Sequence, residues 1–345
     1  MRSKSLKNKI AVAVVNWNTE DKSIACVDAL MAQTTDHTII AVDNGSEDGF
    51  VDRIKTEYPK VQLLANASNL GFAGGVNTAI RWAQKNDFEY IALINSDALP
   101  APNWLEELMK GMKKFKDAGA VTGKFVLTNG LLDSTGDQYT IWGRAYPRGR
   151  DLKDEGQFDK AEYVFGASGG ASLYKMEVFN SIGLFDEDFF AYYEDVDMSF
   201  RMQLAGWKVG YMPSATADHI GGASSGRVRG LVVYLTIKNL PWLFIKNVPT
   251  GLMWKVLPRF ILGQFALLGS SLSKGYFVAV IKGSLVGAFY IPKKLYERIK
   301  IQRSKTVSTE YISSIMTHDL PPNAHTLRRA RDGYRKLRGK EKNNG

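Results

Sequence analysis

The chain has 345 residues, 45% of them hydrophobic and 23% charged, the composition of a folded protein with room for one large domain and an appendage. Its single cysteine, Cys26, excludes an intramolecular disulfide and a cysteine-built zinc site. The formal net charge is +10 and is unevenly placed: from Pro292 onward 14 Lys and Arg face only 5 Asp and Glu, so the remainder is close to neutral.

The basic start, MRSKSLKNK, runs straight into strand-like sequence and has neither the apolar run nor the cleavage site of a signal peptide. A cytoplasmic protein is expected. Strand-like runs at 10–15 (IAVAVV), 38–43 (TIIAVD), 61–64 (VQLL) and 90–94 (YIALI) alternate with helix-like stretches near 20–32, 47–58 and 75–86. That alternation predicts a parallel sheet covered by helices on both faces, with ligands beyond the carboxyl ends of the strands. Further on, AVTGKFVL and YVFGASGGASLY predict strands of a mixed second half. EDVDMSFRMQLAG predicts a helix, WKVGYM a strand and PSATADHIGG a loop. From Leu231 to Ile291 the chain is apolar and rich in Gly, Trp and Phe. Its best window, 260–272, is too short to span a bilayer and Lys282 interrupts the next, so interfacial helices are expected rather than a spanning one. From Ile301 the sequence predicts a polar, basic, mobile tail. There is no internal repeat.

The four predicted strands end on NWN (16–18), DNGS (43–46), NLGFAGGVN (69–77) and NSDA (95–98). Each alone is a turn sequence. On one edge of a parallel sheet the four together predict a shared polar site. Asp43 is suited to accept from the imide N–H of a base or from a ribose hydroxyl. Gly71, Gly74 and Gly75 lack the GxGxxG spacing and follow the third strand, which argues against a dinucleotide-binding oxidoreductase. Asp97 offers a hard oxygen to Mg²⁺ or Mn²⁺, or else caps the following helix. Glu194 and Asp195 fall in the first turn of a helix, where acids favour the dipole, and Asp197 and Arg201 are spaced to pair. Phe189, Phe190, Tyr192 and Tyr193 crowd these acids; aromatics there can stack on sugar faces and raise a carboxyl pKa. His219 is a structural histidine or a metal ligand. GASGGAS (166–172) is a flexible turn or an acceptor loop.

The ordered set VVNWN, VDNGS, NLGFAGGVN, INSDA and FDEDFFAYYEDVD resembles family 2 glycosyltransferases of the GT-A fold, most closely the bacterial rhamnosyltransferase branch, over about residues 8–225. The resemblance implies an α/β GT-A nucleotide-diphospho-sugar transferase fold, with a mostly parallel central sheet and a C-terminal apolar helical appendage. The catalytic domain would be 1–230, with a nucleotide-sugar half at 8–118 and an acceptor half at 119–230. Membrane-associating helices would follow at 231–300 and a tail at 301–345. It implies donor contacts from Asn16, Asp43, Asn69, Gly71, Asn77, Asn95, Ser96 and Asp97, and Mg²⁺ or Mn²⁺ on Asp97 and His219. Asn95 stands where the family's DXD motif has its first Asp. Asp195, beside Glu194, matches the catalytic base.

The implied reaction is an inverting transfer from a dTDP- or UDP-sugar, dTDP-rhamnose first, to a glycan or a polyprenyl-diphosphate-linked glycan. A nucleotidyltransferase would need a Gly-rich, basic loop where NWN stands, and a non-catalytic scaffold rests only on the basic tail. The apolar segment and tail predict attachment to the inner face of a membrane rather than nucleic acid binding, with a homodimer interface as the other use of that segment.

Overall fold

The computed structural model describes residues 9–220 and 228–319. Its first part alternates β1 (Ile10–Asn16), α1 (Glu20–Met31), β2 (Thr38–Asp43), α2 (Phe50–Glu57), β3 (Gln62–Ala65), α3 (Gly71–Lys85) and β4 (Tyr90–Asn95). Strands of Ala, Val, Ile and Leu buried on both faces need a helix on each side, and the order β3-β2-β1-β4, all parallel, supplies that. The strand order reverses between β1 and β4, so the crevice for a ligand opens at their carboxyl ends. Register brings the polar ends level there: Asn16 lies opposite Asp43, and Val15 opposite Asn95.

Beyond β4 come β5 (Ala98–Pro100), α4 (Trp104–Lys114), β6 (Ala118–Leu127), β7 (Leu132–Ser134), β8 (Asp137–Tyr139), β9 (Ala145–Pro147), β10 (Glu162–Val164), β11 (Ala171–Lys175), α5 (Met176–Ile182), α6 (Glu194–Leu204) and β12 (Lys208–His219). The sheet continues as β4-β11-β6-β12-β10, with β11 antiparallel to both neighbours and β12 parallel to β6. One core packs α1, α2 and α4 on one face through Ile24, Leu30, Phe50, Trp104 and Leu108. The other packs α3, α5 and α6 through Val76, Ile80, Val178 and Met198.

Several expectations change. β12 runs to His219, so the predicted loop PSATADH is strand, held by pairing with β5 and β6. YVFGASGGASLY is two strands with the glycine loop between them. The glycine cluster lies inside the first turns of α3, not ahead of it. There Gly75 lets the helix sit on β1, since a Cβ would come 2.6 Å from a Val15 methyl.

The largest change is C-terminal. Five helices follow: α7 (Leu231–Asn247), α8 (Thr250–Ser273), α9 (Phe277–Phe289), α10 (Ile291–Arg303) and α11 (Thr309–Ile315). α7 is not an appendage. Leu235, Ile237, Leu240, Trp242, Leu243 and Phe244 are buried, several of them against Tyr139, Phe189, Val196 and Phe200 of the preceding half. At ~1.5–3 kcal/mol per buried side chain this is on the order of 10 kcal/mol, comparable to the net stability of a whole domain. The boundary expected at 230 therefore cuts through a core. Residues 301–319, expected to be mobile, are folded as well: Ile312 and Met316 are buried in the same cluster. The basic stretches 1–8 and 320–345, and the glycines of the HIGG sequence, lie outside the described residues.

α8 corrects another expectation. It runs unbroken for 24 residues through Pro258 and, by length and composition only, is long and apolar enough to cross a membrane. The 260–272 window is only the C-terminal part of this helix, which begins at Thr250 and runs through Lys255 and Arg259. Its buried positions Leu252, Val256, Phe260, Gly263 and Ser271 form a stripe along its whole length, and Phe244 stacks on Phe260 at 4.6 Å. The opposite side exposes Trp254, Ile261, Leu262 and Phe265, and α9 exposes Phe277, Val278, Leu285 and Phe289 beside it.

Candidate active site

The strand ends divide into scaffold and free positions. Asn16 is fully buried and its amide is used inside the protein. Its Nδ2 donates to Ser46 Oγ at 2.9 Å and to Asp43 Oδ1 at 3.4 Å, while its Oδ1 accepts from Thr19 and Ser23. It ties the end of β1 to the loop after β2. Asp43 accepts the Ser46 N–H at 3.2 Å and is 4% exposed. Asn44 holds the next loop, donating to Asn69 Oδ1 and the Gly71 carbonyl and accepting from Asn66 and Leu70 N–H. Asn69 Oδ1 also accepts the Gly71 N–H at 2.8 Å.

Two expected donor contacts are redirected. Gly71 adopts φ 72°, and any Cβ there would overlap the Phe190 carbonyl. Its glycine serves a close approach to the acceptor half. Asn77, buried on α3, donates to the Phe185 carbonyl and Glu187 and accepts the Phe185 N–H. Every amide atom of Asn77 is engaged in joining the two halves.

Asn95, Ser96 and Asp97 end β4. Ser96 Oγ lies 3.2 Å from Thr19 Oγ1. Asp97 Oδ1 is 3.1 Å from His219 Nε2, and His219 Nδ1 is 2.8 Å from Asp133 Oδ2. Phe125 stacks on the imidazole at 4.5 Å, and Arg150 pairs with Asp133 at 2.6 Å. Burial alone would depress the imidazole, but the hydrogen bonds to Asp133 and Asp97 outweigh it and push His219 up to about 9. The donor set fits a divalent cation. Two ligands of one Mg²⁺ or Mn²⁺ sit about 3 Å apart when each is ~2.1 Å from the ion, which is the Asp97–His219 separation. A carboxylate on the far ring nitrogen is what orients a metal-bound histidine. Asp133 was missed because a lone Asp in LLDST carries no motif.

A second acidic group, Asp186, Asp188 and Glu297, brings three carboxylates within 4.8 Å of one another. Lys294, with a fully buried ammonium, occupies their centre at 2.7, 2.6 and 3.1 Å, and Lys246 adds 2.5 Å to Asp186. The lysines supply the charge that a cation would, so this is an ion-pair network.

Glu194 and Asp195 open α6, as expected. Asp195 Oδ2 accepts the Gly169 N–H at 3.0 Å and Oδ1 its neighbour Val196 N–H at 2.8 Å. Burial raises its carboxyl, and those N–H groups partly restrain the rise. Glu194 is buried, with Oε2 unpartnered among the described residues; burial and then the Asp195 charge push it well above the carboxylate range. Asp137, another residue without a motif, is also buried and raised, by burial and then by Asp195 and Asp133. Asp197 turns away and pairs with Arg201 and Lys246, both at 2.9 Å.

The glycine loop joins the two motifs. Gly169 donates to Asp195, and Gly170 accepts the Asn95 N–H at 2.9 Å. A Cβ on Gly170 would come 2.8 Å from Asn95 Nδ2. Two consecutive residues thus hold the β4 end beside the α6 start, with carboxylates on both sides. The polar strand ends of the first half and the acidic start of α6 lie side by side.

Comparison with known proteins agrees with that geometry. Residues 11–183 match the sequence model of glycosyl transferase family 2. The chain belongs to this family and is a glycosyltransferase. It is 28% identical over 212 residues to N-acetylglucosaminyl-diphospho-decaprenol L-rhamnosyltransferase of Mycobacterium tuberculosis, covering 55% of this chain and 68% of that protein. It is 24% identical over 257 residues to the dTDP-rhamnosyl transferase RfbF of Shigella flexneri, covering 70% and 82%. Two solved structures share the fold. Mannosyltransferase PcManGT from Pyrobaculum calidifontis, in complex with GDP-Man and Mn²⁺, superposes with TM-score 0.52 at 16% identity over 87% of this chain and 86% of its own. GalNAc-T7 with UDP, GalNAc and Mn²⁺ gives 0.55 at 15% identity over 70% of this chain, which spans about half, 48%, of that protein's length. These neighbours carry the GT-A architecture that the motif order implied.

Proposed function

We propose that the enzyme transfers rhamnose from dTDP-rhamnose to a lipid-diphosphate-linked glycan in cell-surface polysaccharide synthesis, with inversion at the anomeric carbon. The observation that carries this reading is the Gly169–Gly170 loop, which sets Asp195 beside the NSD end of β4. The similarity to two rhamnosyltransferases supports the sugar. Asp43 and the loops braced by Asn44 take the nucleoside. Asp97 and His219 would hold Mg²⁺ or Mn²⁺, with Asp133 orienting the imidazole from its far nitrogen. When bound, the cation neutralises charge on the departing diphosphate. Asp195 takes the proton of the acceptor hydroxyl as that oxygen attacks from the face opposite the diphosphate. Its two N–H partners favour the ionised form and restrain the rise that burial imposes. Burial and the Asp195 charge raise Glu194 and Asp137, which disfavours a second negative charge beside the base. The direct displacement requires no covalent nucleophile.

The exposed apolar faces of α8 and α9 lie against the cytoplasmic leaflet, where such an acceptor is anchored. The buried stripe along all of α8 supports a helix lying on the surface, because a spanning helix would have to leave its protein contacts. Two measurements test this reading. The purified full chain with Mn²⁺ is offered dTDP-rhamnose, UDP-N-acetylglucosamine and GDP-mannose with a polyprenyl-diphosphate N-acetylglucosamine acceptor; transfer from dTDP-rhamnose is expected, and transfer from another donor alone would replace the sugar. In co-sedimentation the chain should pellet with anionic vesicles, less so in high salt, whereas a dimer that ignores vesicles would assign the apolar face to self-association.

A further inference from the structure

The stretch just before the Glu194–Asp195 pair is strained. Phe190, Tyr192 and Tyr193 all have positive φ, at 68°, 67° and 73°, and none is glycine. The left-handed region costs an ordinary side chain ~1–2 kcal/mol per residue. Three such residues in four persist only where the surroundings over-determine them. Tyr193 is also the residue from which α6 starts, so the bend sets where Asp195 emerges.

The restraint comes from α7. Asn239 is fully buried, and its Nδ2 donates to three carbonyls of this stretch: Phe189 at 3.0 Å, Ala191 at 3.0 Å and Tyr192 at 2.8 Å. The next residue back, Lys238, donates to the Asp188 carbonyl at 2.6 Å. On the other side the Ala73 N–H of α3 donates to the Phe190 carbonyl at 3.1 Å. One amide of the C-terminal region thus gathers carbonyls that a relaxed chain would point apart. Without it, the Ala191 and Tyr192 carbonyls lose their donor from α7, the Phe189 carbonyl keeps only the Lys238 ammonium of that helix, at 3.4 Å, and the bend loses most of what offsets its strain.

We infer that Asn239 is a positioning residue for transfer: it holds the Phe189–Tyr193 bend in the conformation that delivers Asp195 to the acceptor hydroxyl. The inference rests on the assignment of Asp195 as base. It makes α7 part of the catalytic apparatus, with Asn239 acting through the carbonyls of the bend.

The test is Asn239→Leu, with Asn239→Asp as a second variant that also removes the donor while keeping the shape. Binding of dTDP with Mn²⁺, by calorimetry, counts the folded sites, and turnover of dTDP-rhamnose is expressed per nucleotide-binding site. Both variants should keep wild-type dTDP affinity and donor KM while kcat per site falls about tenfold or more. An unchanged kcat per site overturns the inference. So does a rise in donor KM alone, which would move Asn239 to the donor side. Loss of dTDP binding in both variants overturns it too, by making Asn239 a residue of the fold at large. Asp195→Asn is run beside them: if it keeps wild-type kcat while the Asn239 variants lose theirs, the base assignment fails and the positioning role passes to another group on the bend.

Discussion

The donor and acceptor sides of the site are built in different ways. On the donor side the polar strand ends satisfy one another locally: Asn16, Asp43, Asn44 and Asn69 bond among themselves and their own loops, all within the first hundred residues. On the acceptor side the bend that precedes Asp195 is held by Asn239, and the acidic turn before it by Lys238, Lys246 and Lys294, all from helices far along the chain. A rigid local scaffold suits a nucleotide common to many transferases. An acceptor side tied to α7 and α10 links the start of α6 to the C-terminal helices, so the proposed base would be set by the same part of the chain that carries the exposed apolar faces of α8 and α9.

That contrast can be broken by substitution. The largest effect is expected from Asp195→Asn, which should lower kcat about 10²- to 10⁴-fold while dTDP affinity, measured by calorimetry, stays put. A parallel loss of nucleotide binding would merge the two sides into one. Next is Lys294→Met, which leaves Asp186, Asp188 and Glu297 facing one another. It should cost about 3 kcal/mol in denaturant unfolding at neutral pH. Asp186 is held below the ordinary carboxylate range, burial opposing and the charges of Lys246 and Lys294 prevailing. Its stabilisation is therefore present above pH ~4 and lost as pH falls through the depressed value, so the gap between wild type and variant should close toward acid.

Asp133→Asn sharpens the comparison on the metal side. It removes the charge behind His219 without touching the nucleotide, and should weaken Mn²⁺ activation about 10- to 100-fold. Asp43→Ala should cost dTDP and dTDP-rhamnose the same ~1.5–3 kcal/mol, since a contact to the nucleoside does not involve the sugar. Unequal losses by calorimetry would put Asp43 on the sugar side. The smallest effect is Phe265→Ser on the exposed face of α8, expected to weaken vesicle binding by on the order of 1 kcal/mol with kcat for a soluble acceptor unchanged.

The same division decides what the sequence reveals. β1 to β4 fall within a residue of the expected runs, because strands buried on both faces write themselves as continuous apolar segments and their ends as Asn, Asp and Gly. The strand-end rule also singled out Asp43 and Asp97, which lie at the end of β2 and just beyond the end of β4. It could not tell Asn16 and Asn77, whose amides are spent on the protein, from residues facing a ligand, since both uses need the same buried side chain. Asp133 and Asp137 were invisible because single acids in short strands have no spacing to read. In α7 to α9 apolar content alone does not separate burial against protein from burial in lipid. α7 turned out to be core, and only the outward faces of α8 and α9 remain for a membrane. Asn239 sits in IKNLPW, where nothing in the sequence points 50 residues back to the bend.

The central claim is that this site inverts a sugar as it moves it from nucleotide to acceptor. The most direct measurement is the anomeric configuration of the product, read by NMR after the full chain, dTDP-rhamnose and Mn²⁺ have acted on the lipid-linked acceptor. The account predicts a single product whose anomeric configuration is opposite to the donor's, formed by the wild type and not by Asp195→Asn. A product that retains the donor configuration would contradict it, because a single attack from the face opposite the diphosphate inverts the anomeric centre.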